Sequence, residues 1–230
     1  MTIFFFVLKR NVRNLSNLLF LTVFPIAAIF LPNSPEGWMW FPVGYQYFGI
    51  LILFVGIRLT SLMVEDRQKG VIKRLAVAPV SHFQYLWQNL LAYSLILVLQ
   101  CIIVVAGGYL YGHELYQPMY VLVLFILFSF VSLSMALAWN SLYRSKESAF
   151  LVYMAAVMLM SLLGGLIVPV EMLPTFLQRL SMLLPVHWLA EGLGWIAIGD
   201  ESISHFLFIG GIMVLYTFLF LVIGSMRRIH

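Results

Sequence analysis

The sequence predicts an all-α integral membrane protein with six transmembrane helices and both ends on the cytoplasmic side. Three observations carry that prediction. Hydrophobic residues make up 63% of the chain and charged residues 10%, with a mean hydropathy of +1.00, where a soluble domain is about half apolar and a quarter charged. The apolar residues fall into runs long enough to cross a bilayer, which needs about 20 residues per helix. The basic residues collect in alternate connections between those runs, as the positive-inside rule requires.

Taken in order, residues 1–16 read as an amphipathic interfacial helix. Phe5, Leu8, Val12 and Leu15 fall on one face and Lys9, Arg13 and Ser16 opposite, with Ile3 and Phe6 toward the polar side. This start is apolar first and basic second, the reverse of a cleaved signal peptide, so it is expected to be retained. The first span is expected over about Asn17–Leu31, with Pro25 inside it. Pro32, Asn33, Ser34, Pro35 and Gly37 mark a turn, followed by Trp38 and Trp40 at a membrane interface. The second span is expected over Phe41–Met63, with Arg58 near its end where it can snorkel to the headgroups. The third covers Tyr85–Tyr109, the fourth Met119–Leu142, the fifth Ser148–Val168 and the sixth Ile203–Met226. Residues 169–202 are broken by Pro169, Pro174 and Pro185 and read as two short helices in the outer interface. The lone Cys101 lies in an apolar run and reads as a small core hydrophobe.

Charge placement tests this layout independently. With residue 1 inside, the inner segments hold Lys9, Arg10, Arg13, Arg58, Arg67, Lys69, Lys73, Arg74, Arg144, Lys146, Arg227 and Arg228, which is 12 of the 13 basic residues; Arg179 alone is outside. Six acidic residues (Glu36, Glu114, Glu171, Glu191, Asp200, Glu201) fall outside and three (Glu65, Asp66, Glu147) inside.

Several function classes lack their chemistry here. No G-x-x-x-x-G-K-[ST] loop is present to cradle nucleotide phosphates, and no H-E-x-x-H or paired-cysteine motif offers a metal site. Apart from Arg58, no expected span carries Asp, Glu, Lys or Arg, whereas ion-coupled carriers place such groups at membrane depth. An intramembrane serine protease would need an embedded Ser–His pair, yet His82, His113, His187, His205 and His230 fall in loops or at span ends. Function is therefore expected in the charged stretch 61–87. Within it Val71, Ile72, Leu75 and Ala76 make one apolar side, beside Lys69, Lys73 and Arg74. Pro79 stops the element, and Ser81 with Gln84 is a capping-box pattern opening the next helix. A short helix on the cytoplasmic surface, tied to spans two and three, can receive a push from a partner. A solvated basic loop on anionic lipid is the alternative reading of the same spacing.

The run Glu65–Ser81, EDRQKGVIKRLAVAPVS, resembles the E-x-x-x-x-G-x-x-x-x-L-x-x-x-P-V-S stretch of ABC-2-type transporter permeases, through Glu65, Gly70, Leu75, Pro79, Val80 and Ser81. Residues 164–193 are similar to the family's G-x-x-x-P-x-x-x-x-P segment after the fifth span, with Gly165, Pro169, Pro174 and Pro185 in register. The resemblance implies a single membrane domain over 1–230, with a connecting helix at 1–16, a cytoplasmic coupling helix at 66–78 and re-entrant outer helices at 169–190. It also implies partners: an ABC ATP-binding subunit carrying ATP and Mg, and a second permease copy or a paralogous permease. This chain itself would bind no cofactor or metal and have no catalytic residue, and no nucleic acid is expected. ATPase coupling would fall to Glu65, Gly70, Leu75 and Pro79. In such permeases the substrate path lies between the paired subunits, which here offers Tyr45, Phe48 and Ile52 from span two, and Phe150, Tyr153, Met154, Val157 and Met158 from span five. The implied activity is export of an amphipathic compound, drug or small peptide across the plasma membrane. A non-transporting scaffold or immunity factor of the same fold, and export of a lipid-linked glycan, are the alternatives.

Overall fold

The computed structural model describes residues 2–13, 15–31, 42–70, 82–113, 117–143, 145–199 and 203–226. Within them the chain is helical: α1 Thr2–Arg13, α2 Leu15–Ile29, α3 Val43–Gln68, α4 His82–Tyr111, α5 Pro118–Leu142, α6 Lys146–Leu163, α7 Thr175–Ser181, α8 Pro185–Ile198 and α9 Ile203–Met226. A single 3₁₀ turn, Val170–Met172, lies between α6 and α7.

Among the described residues five helices are long and apolar enough to cross a membrane, over Val43–Asp66, Trp87–Tyr111, Pro118–Leu142, Lys146–Leu163 and Ile203–Gly224. They correspond to the second through sixth expected spans. The first differs. α2 has 15 residues, about 22 Å at 1.5 Å per residue, short of the roughly 30 Å hydrocarbon core. A bent pair, α7 and α8, turns through 95° and brings the number of spans to six if it is counted as one.

α2 shows how a proline is accommodated inside an apolar helix. Pro25 has no N–H to give the carbonyl of Leu21, four residues back. Gln100, from the middle of α4, donates its Nε2 to that same carbonyl at 3.0 Å. An orphaned carbonyl in hydrocarbon is thereby satisfied from a neighbouring helix.

The core forms where α3, α4 and α5 meet. Phe48 and Phe125 pack edge to face at 5.1 Å, and Tyr45 stacks on Phe125 at 6.3 Å. Tyr93, Leu97, Leu124 and Phe128 are fully buried around them. Between helices already surrounded by lipid, close approach and interhelical hydrogen bonds drive association more than hydrophobicity does. Gly56 of α3 lies directly against Ser132 of α5, where a Cβ would collide with the Ser132 hydroxyl. Ser132 donates Oγ to the Ile52 carbonyl at 2.8 Å, and one helical stretch further in Asn140 donates Nδ2 to Thr60 Oγ1 at 2.8 Å. Cys101 is buried beside Ser129, Sγ to Oγ 3.4 Å, as a small core group.

Element ends shift from the sequence expectation for identifiable reasons. α3 continues past Met63 to Gln68 and stops at Gly70, whose φ of +68° suits a residue without a Cβ. α6 ends at Leu163 instead of Val168, because Gly164 and Gly165 turn the chain there, Gly165 with φ +94°. The outer helices run on to Ile198, where Gly199 (φ +72°) closes α8.

Candidate functional site

Two ends of the molecule hold the residues singled out from sequence. At the end expected to face the cytoplasm, called the inner end, α3 carries Glu65 and Asp66 into a cluster of charges contributed by three helices. Glu65 Oε1 accepts from Lys69 Nζ at 2.5 Å, one turn further along. Its other oxygen accepts from Lys146 Nζ at 2.9 Å, from the first residue of α6. Arg10 of α1 bonds Asp66 through Nη1 at 2.7 Å and lies 3.9 Å from Glu65 through Nη2. Glu65 is thus shared between its own helix and α6, 81 residues away in sequence, and Asp66 is held from α1, 56 residues away.

That cluster also holds α1. Of the expected apolar face Leu8 packs, with Ile3 and Phe4, beside the buried Val7 and Asn11. Phe5, Phe6 and Val12 are exposed on the same side as Lys9 and Arg13. That grouping follows from helical spacing, while α1 is attached to its neighbours by Arg10 to Asp66 and by the Phe4 N–H donated to Gln88 Oε1 at 3.2 Å.

Of the coupling residues, Glu65 sits at the centre of the cluster and Gly70 ends α3 in a left-handed turn, with no atom of the described residues within 4 Å of where a Cβ would lie. Leu75 and Pro79 lie outside the described residues, as does most of the stretch 66–78.

At the outer end Gly165 makes the reversal after α6. A Cβ there would approach Val170 Cγ2 at 2.8 Å and Ala190 Cβ at 3.3 Å, so both the backbone angle and the space select glycine. Pro169 and Pro174 precede the 3₁₀ turn and α7, and Pro185 is the first residue of α8, where a missing N–H costs nothing. Gln178 Nε2 folds back to the Leu173 carbonyl at 2.8 Å. Trp195, Phe206 and Tyr120 close the far side of α8, with Tyr120 to Phe206 at 4.8 Å and Trp195 to Phe206 at 5.4 Å.

The bend also brings together a serine and a histidine that the sequence did not pair. Ser181 Oγ lies 3.4 Å from His187 Nδ1, both buried. The Ser181 hydroxyl donates to the Gln178 carbonyl at 2.7 Å, which makes it a brace of the α7–α8 corner.

The eight candidate path residues separate. Tyr45, Phe48, Ile52, Tyr153 and Val157 are buried in the chain's own core. Phe150 and Met154 are half-buried, and Met158 is 54% exposed on α6. Only the last three can present surface to a second subunit. Arg10, Gln100, Asn140 and Lys146 were not singled out from sequence, since each acts across a long sequence separation.

A family model described as ABC-2 family transporter protein matches residues 21–225. The chain belongs to the ABC-2 transporter family. Among curated relatives, the linearmycin resistance permease protein LnrN of Bacillus subtilis (strain 168) is 26% identical over 172 residues, 73% of this chain and 45% of that protein. The "Putative transport permease YvfS" of the same organism is 24% identical over 237 residues, 96% of this chain and 93% of that protein. The "Probable multidrug ABC transporter permease YbhR" of Escherichia coli (strain K12) is 24% identical, covering 75% of this chain and 50% of that protein. The chain therefore spans about half the length of LnrN and YbhR and nearly all of YvfS. As an ABC-2 family member with several apolar helices, it is a multi-pass membrane protein.

Proposed function

We propose that this chain is the membrane subunit of an ATP-driven exporter in the plasma membrane, with both termini in the cytoplasm. Two permease copies, or this chain and a paralogue, pair around the path, and ATP with Mg is hydrolysed on a separate subunit docked against the stretch 66–78. The cargo is an amphipathic compound, drug or small peptide. The observation that carries this reading is the family match over 21–225, in which the coupling motif begins at Glu65, the charged end of the most buried long helix. Two relatives whose names state linearmycin resistance and multidrug transport support an amphipathic cargo.

Within that reading α1 is the connecting helix and residues 169–190 the re-entrant outer segment. Phe150, Met154 and Met158 form the path surface; Met suits adaptable apolar contacts. The five buried candidates act behind that surface by holding α6 against α3.

The test is reconstitution with the ATP-binding subunit in vesicles and measurement of ATP-dependent movement of a fluorescent amphipathic dye. Leu75→Asp and Pro79→Gly should leave ATP hydrolysis largely intact while abolishing dye movement. Normal movement in those variants would remove the coupling assignment, and no ATP-dependent movement by the native complex would remove the exporter.

A further inference from the structure

We infer that Lys146 is a coupling residue, and that its ion pair with Glu65 passes movement of the inner end of α3 directly to α6; this rests on the exporter reading above. Four observations converge on the pair. First, Lys146 is the first residue of α6, where the positive end of the helix dipole makes a cation locally unfavourable. A lysine there gains nothing from its own helix, and its ammonium instead reaches Glu65 at 2.9 Å. Second, both partners are shielded, with side chains 27% and 24% exposed, so the link is screened less than a surface pair.

Third, Glu65 stands five residues before Gly70, where α3 ends and the stretch toward α4 begins. Glu65 therefore lies in the last turns of α3, next to that stretch. Fourth, α6 is less enclosed than α3: its fully buried residues form one stripe, Ala149, Tyr153, Val157 and Ser161, with Phe150 and Met160 half-buried against the core and much of the remaining surface exposed. Its first turn is fastened on two sides. Trp139 Nε1 donates to the Ala149 carbonyl at 3.1 Å, pinning that turn to the end of α5, while Lys146 pins it to α3. A helix fastened at one end and less enclosed along its length turns a small displacement at the fastening into a tilt. Lys69 and Arg10 share the carboxylates of Glu65 and Asp66 but belong to α3 itself and to α1, so Lys146 is the member that reaches the helix carrying the candidate path.

The experiment uses the complete complex with its ATP-binding subunit in vesicles and needs no cargo. A reporter cysteine is placed at Leu162, near the outer end of α6 and 40% exposed, against the buried native Cys101. The rate of its reaction with a maleimide is measured with and without Mg-ATP. In the otherwise native chain ATP should change that rate at least threefold. In Lys146→Gln the change should vanish while ATP hydrolysis stays within twofold of native, and Lys146→Arg, which keeps the charge, should restore it. A purely structural role would instead lower hydrolysis and response together. Persistence of the full ATP response in Lys146→Gln overturns the inference, as does its loss in Lys146→Arg. Absence of any ATP response in the native complex overturns the exporter reading and the inference with it.

Discussion

The two ends of this molecule are held by different physics. At the inner end three helices are joined by carboxylates and cations, with Glu65 and Asp66 between Arg10, Lys69 and Lys146. At the outer end the corner is fixed by shape: Gly165 in the left-handed region, prolines at three joints, a 95° bend and an aromatic seal around Trp195. An ion pair there, Glu191 with His205, is long at 3.6 Å and well exposed. A charged joint can exchange partners at small cost, and a packed corner cannot. The comparison assigns movement to the inner end and constancy to the outer one, with the α3–α5 seam as the fixed frame between them.

The frame is the most sensitive place to break. Gly56→Leu would drive a side chain into Ser132 and should cost about 3 kcal/mol, at the upper end for overpacking a close helix crossing. Thermal unfolding in detergent should fall well below that of the native protein. Next comes the outer corner, where Gly165→Val combines an unfavourable φ with contact on Val170, for about 2 kcal/mol. Its effect should be local, read as increased protease cleavage within 164–185.

Gln100→Leu leaves the Leu21 carbonyl without a donor and should cost about 1–2 kcal/mol. Adding Pro25→Ala restores the missing backbone N–H, so the double variant should recover most of the loss in the same unfolding measurement. At the inner end Glu65→Ala should cost about 1 kcal/mol or less in low salt, shrinking as salt rises. The smallest effect belongs to Glu191→Gln, where an exposed pair should be worth under about 0.5 kcal/mol. If Glu191→Gln proved more damaging than Glu65→Ala, the contrast between the ends would be reversed.

Much of the fold was legible because runs of apolar residues and prolines speak locally. Five of the six expected spans correspond to membrane-length helices. Pro169, Pro174 and Pro185 announced a broken outer segment, and the left-handed angles at Gly70 and Gly165 explain two glycines picked out by resemblance. What was not legible depends on distant partners. The attachment of α1 is made by Arg10 and Asp66, 56 residues apart, and the role of Lys146 is set by a carboxylate 81 residues away. Helices apolar on every side carry no periodic mark of which face meets their own neighbours. Tyr45, Phe48, Ile52, Tyr153 and Val157 therefore looked equally suited to a path and to a core, and all five are buried within the chain's own packing. The shortness of α2 was legible, since the expected span Asn17–Leu31 is no longer than the 15-residue helix.

The account depends most directly on the two ends lying on opposite sides of the membrane, with the inner one beneath the ATP-binding subunit. Gln68, exposed at the end of α3, and Phe176, 72% exposed on α7, are suitable reporters. As single cysteines challenged with a membrane-impermeant maleimide, Phe176→Cys should react in intact cells. Gln68→Cys should react only after lysis, and more slowly once the ATP-binding subunit is added. Labelling of Gln68→Cys in intact cells, or of both positions from the same side, would contradict it.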